Sequence, residues 1–205
     1  MNKNQQIVVS AIVILLILAF AYIIFQDMNK RYEYEFVEEN IKFASNYNPP
    51  GEYLISLKNE NEFIISPTFY ERGPATAIMT GSLVLFNSIL IANGKDVVTL
   101  GRVVDPENNL LYCQTNEGDV LVNEKIELEE CKNMLNTDEK AIIFIELPNE
   151  NLDISEAILE KNRITIRPNS SDEVSRVSFV VLKTMYSDSE EIIAQINEIL
   201  GKISV

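Results

Sequence analysis

The feature that most constrains this sequence is an uncharged apolar run near its start. Residues 7–25, IVVSAIVILLILAFAYIIF, contain no charged side chain and only one clearly polar one, Ser10. A helix rises about 1.5 Å per residue, so these 19 residues just span the hydrocarbon core of a bilayer. A helix also satisfies its own backbone polar groups in lipid. The run therefore predicts a transmembrane helix after a short tail, residues 1–6, with the lipid bilayer as its partner.

The end of this run distinguishes an anchor from a cleaved signal peptide. A signal peptide has a shorter apolar region that leads into a small-residue cleavage site. Here the run ends in Ala-Tyr-Ile-Ile-Phe, which favours an uncleaved signal anchor with a single pass. The flanking charges, Lys3 on one side and Lys30 with Arg31 on the other, nearly balance. The short tail and the cysteine pair described below favour a domain outside the cytoplasm.

The rest of the chain is strongly acidic and contains no histidine. Lys3 is the only one of 17 basic residues before Asp27, so the remainder carries 16 basic and 31 acidic side chains, a formal charge of −15. Such a field repels nucleic acid, which proteins bind by neutralising phosphates. The absence of histidine removes the commonest general base and nitrogen metal ligand. The composition therefore predicts no nucleic-acid partner, no metal site and no cofactor.

Punctuation by proline and glycine divides this remainder into a stem and one domain. Residues 26–52 predict a charged stem or linker, which either prolongs the membrane helix or begins as a strand. It closes at Asn-Tyr-Asn-Pro-Pro-Gly, 46–51, the densest group of structure-breaking residues. We therefore assign residues 53–205 to one compact, acidic α/β domain.

The order of apolar segments within 53–205 indicates the fold class. Residues 75–92 predict a buried helix, because Pro74 suits the first turn and Asn93-Gly94 suits a left-handed stop. Apolar strands are expected on both sides of it, at 63–66 and 97–104, which predicts a βαβ crossover. Further strands are expected at 53–57, 110–113 and 141–147, and a further helix at 124–135.

The C-terminal part predicts a hairpin and a final helix. Residues 164–166 alternate as a strand does, and 177–185 could return as its hairpin partner across 169–172. Ser187 and Glu190 have the spacing of a capping box before the apolar stripe of the last helix. The expected fold is α/β, with mixed α+β as the alternative, and consists of a mixed sheet with two or three packed helices.

Cys113 and Cys131 are the only cysteines, with 17 residues between them. In an oxidising compartment they would form a disulfide. The alternatives are two buried free thiols or, less simply, redox or metal chemistry. The chain has no Cys-x-x-Cys motif, and two thiolates without histidine make a poor zinc site.

Two further positions are candidate ligand or modification sites. Arg72 and Gly73 precede the N-terminus of the apolar helix, where free N–H groups and the helix dipole favour an anion, although a plain turn that leads into the helix is the simpler explanation. Asn169 begins an Asn-Ser-Ser triplet, which is a glycosylation acceptor pattern if the domain is exported.

Catalytic motifs are absent from the sequence. It contains no Gly-x-Ser-x-Gly, Ser-x-x-Lys, Gly-x-Gly-x-x-Gly or P-loop. Adjacent glutamates occur as three doublets, at 38–39, 129–130 and 190–191, and a solvated surface explains them in a chain this acidic. No catalytic residue is therefore assigned, and an enzyme is less expected than a binding protein.

Three segments resemble a group of uncharacterised archaeal membrane-anchored proteins. They are GPATAIMTGSLVLFNSILIANGKDVVTLG, CQTNEGDVLVNEKIELEEC, and the stretch from ITIRP to SEEIIAQINEIL. The shared features are one N-terminal span, a buried helix followed by a Val-rich strand, a spaced cysteine pair and a terminal hairpin with a helix. The resemblance covers about two thirds of the chain and implies a fold and a membrane location.

These observations support three hypotheses about function. The first is a membrane-anchored, extracytoplasmic, non-enzymatic binding or accessory subunit of an envelope complex, with a protein partner in the membrane or envelope. The second is a pilin-like structural subunit, because MNKNQQ resembles a short leader cut between Asn4 and Gln5, although Asn4 is not the expected small residue. The third is a hydrolase or transferase that uses carboxylates brought together by folding.

Overall fold

The computed structural model describes residues 32–47, 50–70, 75–116 and 124–203, of which those from Tyr34 onward belong to one compact unit. Within these residues the chain forms nine strands and five helices. In chain order they are β1 (Tyr34–Glu38), β2 (Ile41–Ser45), α1 (Pro50–Leu57), β3 (Glu62–Tyr70), α2 (Ala75–Ala92), β4 (Asp96–Val104), β5 (Leu110–Asn116), β6 (Glu124–Ile126), α3 (Leu128–Leu135), β7 (Ala141–Ile145), β8 (Ser155–Glu160), β9 (Arg163–Arg167), α4 (Glu173–Met185) and α5 (Glu190–Ile203).

All nine strands belong to a single mixed sheet in the order β1-β2-β8-β9-β7-β3-β4-β5-β6. Its centre is a parallel block of β9, β7, β3 and β4. Antiparallel pairs flank the block, with β8 against β9 on one side and β5 against β4 on the other. The predicted α/β class and mixed sheet are therefore confirmed, and α2 makes the predicted crossover between the parallel strands β3 and β4.

The two faces of the sheet carry cores of different size. The larger core contains Phe63, Phe86, Ile143 and Phe179, all fully buried, and joins one face to α1, α2, α4 and α5. The smaller core lies on the other face, where α3 places Cys131 against Ile64, Leu100 and Ile142. Among the described residues, one helix of eight residues packs on the second face, and it covers only part of that face.

Helix α2 has the predicted bounds, and its C-terminal stop is confirmed. Gly94 has a φ of +74°, a left-handed conformation that favours glycine. Its N–H donates to the Ile91 carbonyl at 2.9 Å, and the Lys95 N–H donates to the Leu90 carbonyl at 3.1 Å. This pair of bonds is the Schellman arrangement. Among the side chains described in α2, Val84, Leu85 and Ile91 are exposed, so the helix is buried on one side only.

Two segments predicted as strands are helices instead. Residues 53–57 belong to α1, in which Leu54 and Leu57 are buried one turn apart. Residues 177–185 belong to α4, not to a hairpin. Both errors have one cause: a short apolar run has no visible period when it is buried on most sides, and length alone does not separate a strand from a helix. The domain therefore has five helices in its described residues, not two or three.

The true hairpin next to β9 is formed with β8, which the sequence did not indicate. The strands join through Lys161-Asn162, and Lys161 has a φ of +46°. Two smaller boundaries also differ from expectation. Residues 124–126 form β6, so the predicted helix begins only at Leu128. The last helix accepts its first bond at the Ser189 carbonyl, not at Ser187, and continues past Gly201 to Ile203.

Part of the segment assigned to the stem is incorporated into the sheet. Strands β1 and β2 lie within 26–52, and β2 pairs in parallel with β8. The predicted transmembrane segment, 7–25, lies outside the described residues, as does the tail 1–6. Among the helices that are described, none combines the length and apolar character needed to cross a bilayer.

Candidate ligand-binding site

A cavity of about 490 Å³ lies at the carboxyl ends of β3, β4 and β7. Thr68 and Tyr70 come from the end of β3, and Arg102 comes from β4. Glu146 directly follows β7 and begins the loop that closes the cavity on a third side. The carboxyl edge of a parallel sheet is the usual place for a ligand in α/β proteins, and the volume is within the range of small-molecule sites.

The cavity lies on the face that α3 leaves partly uncovered. Alternate residues of a strand share a face, so Ile64, Ser66 and Thr68 follow one another along β3, and Leu100 and Arg102 along β4. This face is apolar where it meets α3 and becomes polar toward the carboxyl ends. The short helix therefore covers the apolar half of the strands, and the cavity occupies the polar half.

Pro67 creates an irregularity in the sheet beside the cavity. It has no N–H, and the pairing of β3 with β4 is interrupted at Ser66 and Pro67 between the pairs Ile65–Thr99 and Thr68–Arg102. The hydroxyl of Ser66 donates to the Leu100 carbonyl at 2.9 Å, so a side chain supplies a donor to β4 at this break. The irregularity therefore costs the sheet less than a proline in a central strand normally does.

Arg102 is the central charged group of the cavity wall. Its Cζ lies 4.7 Å from the centre of the Phe144 ring, and one Nη donates a long bond of 3.5 Å to the Ser66 carbonyl. Its Nε is enclosed and has no partner among the described residues. Burial lowers the pKa of Arg102, and the nearby charge of Glu146 acts in the opposite direction. An arginine pKa starts so high that the side chain remains charged.

The carboxylate of Glu146 is engaged by a different arginine. Arg167 on β9 donates through Nε to Glu146 at 2.9 Å, and its Nη1 lies 4.0 Å from Glu156. No carboxylate within the described ranges lies close enough to Arg102 to form an ion pair. Arg102 is therefore a half-buried cation with a neutral shell and one carboxylate at longer range.

Neutral polar groups make up much of the remaining wall. Thr68 is 7% exposed, and its Oγ1 has no hydrogen-bond partner among the described residues. The Tyr70 hydroxyl donates to Asn108 at 3.5 Å across the mouth. Asn149 and Asn151 line the opposite side, and the Asn149 N–H holds its loop to the Pro168 carbonyl at 2.8 Å. Hydroxyl and amide groups therefore accompany a single unpaired cation.

The two predicted cysteines do not line this cavity. Cys113 and Cys131 form a disulfide with 5.8 Å between their Cα atoms, which ties β5 to α3 in the smaller core. Cys113 pairs with Arg102 in the sheet register, and paired residues share a face. The disulfide therefore lies beside the strand position that carries Arg102.

The other two candidate positions are not brought to the cavity by any described contact. Arg72 and Gly73 lie outside the described residues, so the anion site predicted there stays a prediction. Asn169 is half-buried after β9, where its Oδ1 accepts from Ser155 at 3.1 Å and its N–H donates to the same hydroxyl. Its glycosylation also stays a prediction.

The cavity residues had only a weak signal in the sequence. Arg102 interrupts the apolar run VVTLGRVV, and Glu146 interrupts AIIFIEL. A charged residue inside a strand of a parallel block is unusual because both faces are covered. That both charges lie at one edge depends on the strand order, which a single sequence does not reveal.

Together the fold and the cavity define an α/β domain with a ligand-sized site at the carboxyl edge of its parallel strands. Within the described residues, no group of three or more acidic or cysteine side chains could hold a metal ion. No protein-family model matches the chain, and neither a curated protein nor a solved structure is detectably similar to it.

Proposed function

We propose that this chain is a membrane-anchored binding protein that displays its α/β domain outside the cytoplasm, as an accessory subunit of an envelope complex. The observation that carries the proposal is the Cys113–Cys131 disulfide. Disulfides persist in oxidising compartments and are rare in the cytosol. The uncharged run 7–25 supplies the anchor.

The cavity supports a binding role over a catalytic one. A carboxylate-based hydrolase or transferase needs two acids that converge on the same bond. Among the described residues that line the cavity, Glu146 is the sole carboxylate, and it is paired with Arg167. The cavity thus gives the hydrolase hypothesis no support, whereas a concave site with a few polar groups is what a binding protein uses.

The pilin-like hypothesis depends on the N-terminus, outside the described residues. Cleavage between Asn4 and Gln5 would remove the first four residues from the mature chain. Mass spectrometry of the N-terminal peptide from purified membranes measures this directly. An intact N-terminus would overturn the pilin-like role and is the result expected for an uncleaved anchor.

The experiment that tests the side of the membrane needs a thiol at the surface, because Cys113 and Cys131 are fully buried. Gln195 is exposed on α5, so Gln195→Cys adds one accessible thiol. Intact cells that express the full chain are treated with a membrane-impermeant maleimide. We expect Gln195→Cys to label in intact cells and the unsubstituted chain to remain unlabelled.

A second measurement on the same cells reports the redox state. Free thiols are blocked with N-ethylmaleimide in denaturant, the protein is then reduced, and the released thiols are counted by a polyethylene-glycol maleimide gel shift. Two released thiols in the unsubstituted chain would agree with the proposal. Labelling of Gln195→Cys only after permeabilisation, with no thiols released on reduction, would place the domain in the cytoplasm and overturn it.

A further inference from the structure

Arg102 is not explained by the stability of the fold. A buried charge is costly unless a partner of opposite charge compensates for its lost hydration. Arg102 is half-buried, and among the described residues the Phe144 ring and one long bond to the Ser66 carbonyl are the contacts that replace part of its hydration. Glu146, the closest acidic candidate, is engaged by Arg167. A cation left in this state is suited to receive an anion from outside.

The charge balance of the cavity limits that anion to one negative charge. Arg102 offers a single unpaired positive charge, and Glu146 lies in the same wall. A dianion such as phosphate or a dicarboxylate would leave one of its charges facing Glu146 in a domain that is already strongly acidic. A carboxylate matches the planar guanidinium through its two oxygens, and the Nη groups are those in reach because Nε is enclosed.

The remainder of the wall indicates what else the anion carries. The Thr68 Oγ1 is enclosed like the Arg102 Nε. The polar groups within reach of a ligand are therefore the Tyr70 hydroxyl and the exposed amides of Asn149 and Asn151, of which the Asn149 Oδ1 already accepts from the Asn151 N–H at 3.1 Å. Hydroxyl groups on the ligand would satisfy such a wall, whereas an apolar ligand would leave it unpaired. A volume of about 490 Å³ leaves room for several carbon atoms beyond the carboxylate.

We propose that the cavity binds a small hydroxylated monocarboxylate, of the sugar-acid class, with its carboxylate on Arg102 and its hydroxyls against Tyr70 and the asparagines. The proposal does not depend on which side of the membrane the domain occupies, so its test and the labelling experiment fail separately. The Glu146 carboxylate, held in place by Arg167, borders the cavity beside the ligand and disfavours a second negative charge there.

The test is isothermal titration calorimetry on the purified full chain in detergent. Gluconate, glucuronate and glycerate are titrated as probes, and glucose, inorganic phosphate and serine are titrated as comparators. We expect saturable 1:1 binding of at least one acid. Glucose lacks the carboxylate, and phosphate carries a second charge. Serine replaces a glycerate hydroxyl by an ammonium group. Each comparator should therefore bind at least about tenfold more weakly than the acid that binds best.

Two substitutions and a matched control locate the binding. Arg102→Met keeps the apolar stem on Phe144 and removes the charge, so affinity should fall about tenfold or more. Tyr70→Phe keeps the ring and removes one hydroxyl of the cavity mouth, so a smaller loss is expected. Arg163→Met is the control, because Arg163 lies at the opposite end of β9 and donates to Asn136; its affinity should equal that of the unsubstituted chain.

Several outcomes would overturn the proposal. No saturable binding of any of the acids would remove the ligand class. Phosphate or serine binding as tightly as the acids would contradict the single charge or the hydroxyl preference. Binding to Arg102→Met at unchanged affinity, in a protein that still unfolds cooperatively, would separate the site from Arg102.

Discussion

Arg102 lies on a strand of the parallel block, a position at which proteins usually place an apolar side chain. The surrounding residues provide contact for a stem of methylene groups but little compensation for a charge. Sites of this kind are where a protein gives up stability for function. A substitution of Arg102 can therefore separate the stability of the domain from ligand binding in the cavity.

Arg102→Met should raise the stability of the domain or leave it unchanged. Methionine keeps the contact with the Phe144 ring through its sulfur and removes the charge that burial disfavours. We expect the thermal midpoint of the full chain in detergent to rise by up to roughly 2–4 °C, which corresponds to about 1 kcal/mol. Arg163→Met, which removes an arginine bonded to Asn136, should give no gain. A lower midpoint for Arg102→Met alone would mean that the fold needs the guanidinium.

Asp105 fixes the loop between β4 and β5 that carries Asn108 to the cavity mouth. Its Oδ1 accepts from the N–H groups of Glu107 and Asn109, and its Oδ2 accepts from the Asn109 amide at 3.0 Å. These donors, those of Asn109 first, lower the pKa of Asp105. A carboxyl with a lowered folded pKa adds stability above its ordinary value of about 3.9, and that stability is lost as the pH falls through the folded pKa.

Asp105→Asn should therefore be less stable than the unsubstituted chain at neutral pH, and the difference should shrink in acid. The amide has one acceptor oxygen in place of two and no charge to strengthen the bonds that it accepts. Urea unfolding of both proteins at a series of pH values between about 7 and 3 measures the difference. A difference that stays constant across that range would show that the charge of Asp105 plays no part.

At the scale of elements, the sequence predicted best those helices whose ends are marked by proline or glycine. Helix α2 and its stop at Gly94 follow from proline, glycine and an apolar run too long for a strand. Helix α4 was missed because ten of its residues are buried, so its polar face is narrow and consists of Glu173, Arg176 and Lys183. Ser178 and Thr184 are polar but buried, because their hydroxyls donate to carbonyls four residues earlier. Their positions in the sequence therefore do not mark the exposed side of the helix.

Gly94, just after helix α2, and Gly201, within helix α5, give a matched test of this punctuation. Gly94 has a φ of +74°, so Gly94→Ala places a side chain in a left-handed conformation although no atom lies within 4 Å of the new Cβ. We expect a loss of about 1–2 kcal/mol in the free energy of unfolding, measured by urea titration. Gly201→Ala adds a methyl group to helix α5, again in open space.

The expected change for Gly201→Ala has the opposite sign, from neutral to a gain of up to about 1 kcal/mol, because alanine favours the helix. Opposite signs at two glycines with equally open surroundings would isolate backbone conformation as the cause. A loss of similar size at both positions would attribute the effect to the added methyl group instead.

At the scale of the whole molecule, the candidate site could not be read from the sequence because it is assembled by the strand order. Thr68, Arg102 and Glu146 come from three strands that are adjacent only after β7 is placed beside β3. Short-range patterns report the period of one element and say nothing about its neighbours. The cysteine pair was the exception, since two cysteines in one chain leave a single intramolecular pairing.

The Cys113–Cys131 disulfide holds α3 over the smaller core, which is why its removal should affect the whole domain and not one loop. The smaller core has few members, and both sulfur atoms belong to it. Replacing both residues by alanine removes a cross-link across 18 residues of chain. The chain-entropy model gives about 3 kcal/mol for a loop of this length. The double variant should therefore unfold roughly 6–12 °C below the unsubstituted chain.

Reduction provides the control for this last prediction, because it breaks the cross-link without changing a side chain. The unsubstituted chain with excess dithiothreitol should fall to a midpoint near that of the double alanine variant, and dithiothreitol should leave the variant itself unchanged. If the reduced chain keeps its original midpoint while the variant loses stability, the loss comes from the emptied space in the smaller core, since each alanine removes a buried sulfur atom. If neither falls, α3 is held by its apolar contacts with Ile64, Leu100 and Ile142, and the cross-link adds nothing to them.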